Sequence, residues 1–231
     1  MRKTLVMVPA FGCDAGLYAP ISEALSAHVD ERVHVATEDR YEKMVAALLA
    51  ASPDRFIVLG TSMGARLALE VTLAAPQRVD GLVIIGAGPG PVADQAAGLR
   101  RSARLRGGEM EDVLAEMGNM ISHMPGPRGP ETRQAFIEMG RAMGAEALAR
   151  QSDALAHRVD RWPELGGIAC PVLCLWGVHD QFSPAADGRR IAGAVPKGSY
   201  VELAECGHFP TLEYPDATAA ALLRWLQAAF A

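Results

Sequence analysis

Nothing in the 231-residue chain approaches the roughly 18 to 20 consecutive apolar residues of a membrane span, and it carries no internal repeat or low-complexity tract. Charge of one sign is missing too. The 22 Lys and Arg stand against 27 Asp and Glu, a net charge of -5, which offers no surface to nucleic acid or to an anionic membrane. Cysteine is sparse: Cys13, Cys170, Cys174 and Cys206 form no Cys-x-x-Cys spacing and lack the density of a secreted disulfide scaffold. They read as small buried side chains in a reduced, cytoplasmic protein, and neither a metal nor another cofactor is implied. The apolar run that follows Arg2 and Lys3 is too short for a signal sequence, lacks a cleavage site, and reads as a first strand.

Half of the residues are apolar, enough to bury one large core. Short β-branched runs alternate with Ala/Leu-rich segments, the pattern of an α/β, doubly wound and mostly parallel sheet with helices on both faces. Strands are expected at Lys3 to Val8, Arg32 to Ala36, Arg55 to Leu59, Gly81 to Ile85, Val172 to Trp176 and Tyr200 to Leu203. Helices are expected at Leu17 to His28, Glu42 to Ala51, Ser62 to Ala75, Pro184 to Ala194 and Asp216 to Phe230.

Between Gly86 and Ile168 the alternation stops. Pro89, Gly90 and Pro91 open this interval, Gly166 and Gly167 close it, and helical periodicity fills it. Met110, Val113, Leu114, Met117, Met120 and Ile121 form one apolar stripe, and further helices are expected at Glu131 to Met143 and Ala145 to Arg158. The chain therefore divides into a core, residues 1–88 and 166–231, and a helical insertion, residues 89–165. Six of the ten methionines fall in the insertion. Thioethers suit a cover that closes on apolar substrate and opens again, which makes Met117 and Met120 candidate substrate contacts.

Gly60-Thr61-Ser62-Met63-Gly64 lies behind a strand-like run and ahead of a helix-like one, the context of a nucleophile elbow. A sharp strand-to-helix turn exposes the hydroxyl, and side chains two places before and after the serine would crowd that turn. Such a serine needs a base. Of the six histidines, His208 follows the last expected strand and so lies at the same end of the sheet as Ser62. The base needs an orienting acid, and Asp180 stands just past the preceding strand, ahead of the helix that Pro184 begins. The oxyanion requires two backbone donors. Met63 N–H, next to the nucleophile, supplies one, and Phe11 N–H in the Pro9-Ala10-Phe11-Gly12 loop is the candidate for the other, its ring lining the acyl pocket.

With these motifs, and with Gly177-Val178-His179-Asp180 and Gly207-His208-Phe209-Pro210-Thr211-Leu212-Glu213-Tyr214-Pro215, the chain resembles the serine α/β-hydrolase superfamily over almost its whole length. Within it the chain is similar to small bacterial esterases and enol-lactonases with a helical lid. The resemblance implies that the insertion is that lid and that the chain begins at the family's third strand, giving about six strands and lacking the first two. The usual His-Gly of the first oxyanion loop is replaced by Pro9-Ala10. A serine at 62 excludes the carboxylate-nucleophile chemistry of haloalkane dehalogenases and epoxide hydrolases.

The expected activity is hydrolysis of a small carboxylic ester or lactone through an acyl-enzyme, by a monomer or homodimer. Arg66, one helical turn after Ser62, opens an alternative. It is similar to an arginine of the menaquinone-pathway synthase of this fold, and it makes Arg66 a candidate ligand for an anionic substrate in an elimination or a C–C bond hydrolysis. The Arg100, Arg101, Arg104, Arg106 cluster either adds anion affinity or is a solvated face. A non-catalytic small-molecule receptor is the remaining class, although all three members of the Ser62, Asp180, His208 set are present.

Overall fold

The computed structural model describes residues 2–230. Six parallel strands form one open sheet: β1 (Lys3–Val8), β2 (Val29–Val33), β3 (Phe56–Thr61), β4 (Val79–Ile85), β5 (Val172–Gly177) and β6 (Gly198–Leu203). Their order is β2-β1-β3-β4-β5-β6. The chain thus builds outward from β1 to one edge, returns to the other side of β1, and continues to the opposite edge. That reversal places a crevice between the carboxyl ends of β1 and β3, where open parallel sheets bind ligands.

Burial follows position in the sheet. Every residue of β3 and β5 is buried, as their Ile/Val/Leu-rich sequences require for strands covered on both faces. The edge strand β2 is mostly exposed, and it lies three residues earlier than the expected Arg32 to Ala36. Paired only with β1, from Lys3 opposite Val29 to Met7 opposite Val33, it buries little and leaves a weak apolar signature. Val33 and Val35, within the expected range, are each 37% exposed.

The flanking helices are α1 (Ala19–Ser26), α2 (Tyr41–Ala51), α3 (Met63–Ala74), and, numbered in chain order after the four helices between β4 and β5, α8 (Ala185–Ala194), α9 (Pro210–Glu213) and α10 (Pro215–Phe230). Helix α1 packs on α10, and α2 on α3. The four intervening helices are α4 (Gln95–Arg106), α5 (Met110–Ile121), α6 (Gly129–Met143) and α7 (Ala145–Ala156). The sequence pattern does not mark α4, because the residues it buries are Gly98, Ser102 and Leu105 rather than an apolar stripe. Its contact with α7 is a close approach of small residues: a methyl built on Gly98 would lie 2.8 Å from Ala156 Cβ. Among the described residues, no helix is long and apolar enough to cross a membrane.

Candidate active site

Ser62 joins β3 to α3 with φ +55° and ψ -115°, and among the described residues it alone has positive φ without being glycine. This backbone state costs about 1–3 kcal/mol and needs its surroundings to hold it. Two flanking glycines allow those surroundings to close in. A methyl on Gly60 would overlap the Gly64 carbonyl, and one on Gly64 would overlap the Val8 carbonyl, so helix α3 sits against the end of β1 at a distance no side chain permits. Ser62 N–H donates to Ile85 O at 2.8 Å, fixing the turn to β4.

The His208 imidazole lies on the loop after β6. Its Nδ1 is 2.7 Å from Asp180 Oδ2, with the two side chains 3% and 1% exposed. The other carboxylate oxygen, Oδ1, accepts from Phe182 N–H at 2.8 Å and Ser183 N–H at 3.0 Å, which locks the Asp180 side chain to its own loop. The ring is held between Phe182 and Phe209, whose centroids are 4.9 and 5.4 Å away. With Nδ1 engaged by the carboxylate, Nε2 is the nitrogen left for chemistry. Ser62 and His208 line one cavity of about 440 Å³, together with Phe11, Met63 and Met117. Neither Phe11 N–H nor Met63 N–H has an acceptor among the described residues, leaving both backbone donors available at the end of the sheet where Ser62 turns.

Two expected substrate contacts lie elsewhere. Arg66 does not line the cavity: it is 1% exposed, salt-bridged to Glu70 at 2.7 Å, and donates to the carbonyls of Pro89, Gly90 and Val159. Its donors are consumed in tying α3 to both the entry and the exit of the insertion. Met120 is 40% exposed and absent from the cavity wall, because the Met110–Ile121 stripe buries Val113, Leu114, Gly118 and Ile121 and turns Met120 outward.

Other polar residues position the site, Glu213 from within the Gly207-to-Pro215 motif and the rest with no local motif. Glu213, 3% exposed, accepts from Gly207 N–H and His123 N–H through Oε2, each at 2.9 Å, and from Phe209 N–H through Oε1 at 3.1 Å. One carboxylate thus frames His208 on both sides and holds the end of α5 to the same loop. His208 N–H itself donates to Ile121 O at 2.8 Å. Gln151 of α7 accepts from Gly12 N–H at 2.9 Å and donates to Ala36 O at 2.7 Å, pinning the first loop beneath the insertion. Arg101 and Arg158 also line the cavity. Buried polar residues in the insertion were the available signal, although their partners are far away in sequence.

His123, His179 and Glu205 bring candidate ligand atoms within 4.8 Å of one another. The two imidazoles stack at 3.9 Å and 9°, which sends their in-plane lone pairs side by side rather than onto one ion.

The model of the alpha/beta hydrolase family matches residues 5–221, and the chain belongs to that family. It is 25% identical over 243 residues to a pimeloyl-[acyl-carrier protein] methyl ester esterase of Aliivibrio salmonicida, with 96% of this chain and 92% of the relative covered. It is 28% identical over 182 residues to a 2-hydroxy-6-oxononadienedioate/2-hydroxy-6-oxononatrienedioate hydrolase of Pseudomonas putida, with 75% of this chain covered and only 63% of that relative's length. The fold is shared with a thermophilic esterase of Thermogutta terrifontis, at TM-score 0.89 and 20% identity over 99% of this chain and 91% of the esterase. It is also shared with the enol-lactonase of Burkholderia xenovorans LB400, at TM-score 0.88 and 21% identity over 98% and 92%.

Proposed function

We propose that this member of the alpha/beta hydrolase family is a serine hydrolase that cleaves a small carboxylic ester or lactone through an acyl-enzyme on Ser62. The observation that carries the reading is the 2.7 Å contact of His208 Nδ1 with a buried Asp180, on a cavity that also holds Ser62. His208 Nε2 accepts the Ser62 proton as the hydroxyl oxygen attacks the carbonyl carbon, and Asp180 stabilises the imidazolium so formed. The oxyanion is received by Phe11 N–H and Met63 N–H, the latter also at the positive end of α3. The tetrahedral intermediate collapses, His208 gives the proton to the leaving oxygen, and water repeats the cycle on the acyl-enzyme. Helices α4 to α7 act as the lid, with Met117 and Phe11 contacting the substrate.

The same residues serve C–C bond hydrolysis, the chemistry that the name of the Pseudomonas relative suggests. The synthase-like elimination loses the support of Arg66, which spends its donors on Glu70 and three carbonyls. The deciding experiment is labelling with a fluorophosphonate, which reports a nucleophilic serine without knowledge of the substrate. Folded wild-type protein labels and Ser62→Ala does not; wild-type protein that stays unlabelled refutes the assignment.

A further inference from the structure

The arginines of α4 divide into two kinds. Arg100 pairs with Asp94, Arg104 with Glu109 and Glu116, and Arg106 with Glu146 and Asp153, all on the outer face of the insertion. Arg101 is different. It has no carboxylate partner among the described residues, donates through Nε to Ser152 Oγ at 2.8 Å, and sits with its guanidinium carbon 5.1 Å from the centre of the Phe11 ring, inside the cavity that holds Ser62. Arg158, beyond the end of α7, lines the same cavity; its Nε is buried without a hydrogen-bond partner, and it too has no carboxylate partner among the described residues.

Two arginines without carboxylate partners among the described residues therefore border one small, largely apolar space, Arg158 also bordering a second cavity with Tyr41 and Glu70. Burial lowers the pKa of both, and the positive charge of Arg158 lowers that of Arg101 further. The two acids on the cavity wall do not relieve them. Asp94 caps α4 at Ala97 N–H and pairs with Arg100, while Asp187 lies against Gly88 and forms no salt bridge with either arginine among the described residues. Water alone is a poor match for planar donors held in fixed directions, whereas a carboxylate answers a guanidinium fork with two parallel hydrogen bonds. Arg101 stands over the ring of Phe11, whose N–H is the proposed oxyanion donor, so the anion it would hold and the reacting carbonyl occupy one cavity.

We propose that Arg101 and Arg158 form an anion subsite, and that the substrate is an ester or lactone bearing a free carboxylate, of the class of half-esters of short dicarboxylic acids. This rests on the hydrolase reading of Ser62 and names what that serine acts on. The cavity of about 440 Å³ has the size of a site for a short acyl group.

The test compares kcat/KM for mono-para-nitrophenyl glutarate with that for para-nitrophenyl hexanoate, a neutral ester of similar length. Arg101→Gln and Arg158→Gln lower the charged-to-neutral ratio about tenfold or more, the loss expected of a hydrogen bond to a charged group. Arg104→Gln, on the outer face, leaves the ratio as it is. A ratio that stays within about twofold of wild type in both cavity variants overturns the proposal. Should those variants fail to fold, wild-type protein decides: glutarate inhibits ester turnover competitively and its neutral diamide does not, whereas equal inhibition by both overturns it. If Ser62 fails to label and neither ester is turned over, the hydrolase reading has failed, and calorimetric titration with glutarate still reads the subsite. Glutarate binding that is weaker in Arg158→Gln supports it, and absence of binding to wild type overturns it.

Discussion

The two carboxylate oxygens of Asp180 do different work, one accepting from Phe182 and Ser183 N–H and the other facing His208 Nδ1. An asparagine can satisfy only one of these demands with its oxygen. In Asp180→Asn the amide oxygen stays with the two backbone donors, and its NH₂ faces Nδ1, forcing the ring proton onto Nε2 where the Ser62 proton must go. Ester turnover falls by about 10⁴-fold while the thermal midpoint stays close to wild type. A fall of less than about tenfold would remove Asp180 from the role given to it. Ser62, His208 and Asp180 were legible as residues because each follows a strand inside a short motif, and local geometry leaves a local trace. Arg66 was legible only in part: Glu70, four residues on, is a visible partner, but its acceptors Pro89 and Val159 lie 23 and 93 residues away.

At the scale of elements, the insertion is fastened by polar bonds that cross between distant segments. Arg66 and Arg161 converge on Glu70 of α3, with Arg66 also holding the carbonyls of Pro89 and Gly90 before α4 and of Val159 after α7. Removing Arg66 leaves Glu70 with Arg161 alone and three carbonyls without their donor. Arg66→Met therefore lowers unfolding free energy by about 3 kcal/mol, and Arg66→Lys recovers only part of it because one ammonium cannot reach all four acceptors. Denaturant titration reads both. A raised KM with unchanged stability would instead restore Arg66 as a substrate ligand. The strands and most helices were readable from hydrophobic period. Helix α4 was not, since it packs by Gly98 and Ser102, and neither was the exact place of β2, since an edge strand needs little apolar surface.

For the molecule as a whole, the four thiols set an alkaline limit. Burial raises the pKa of each: Cys170 to about 11, Cys174 to about 12, and Cys13 and Cys206 well above the usual thiol range. An unfolded thiol ionises near 8.5, so above that pH the unfolded chain holds fewer protons than the folded one. Stability is then complete below about pH 8.5 and falls as pH rises through the folded values. The denaturation midpoint is lower at pH 10 than at pH 7.5; an equal or higher midpoint would contradict the burial of these groups.

The elbow bears on whole-molecule stability as well. Glycine adopts the Ser62 backbone state without a clashing Cβ, so Ser62→Gly raises the thermal stability, by about 1 kcal/mol after the greater freedom of the unfolded glycine is deducted, while fluorophosphonate labelling disappears. An unchanged or lower midpoint would show that the turn is relaxed as it stands. In evolutionary terms this makes position 62 a one-way door. A lineage released from any need to react drifts downhill toward glycine there, and regaining the hydroxyl means climbing back against the stability of its own fold.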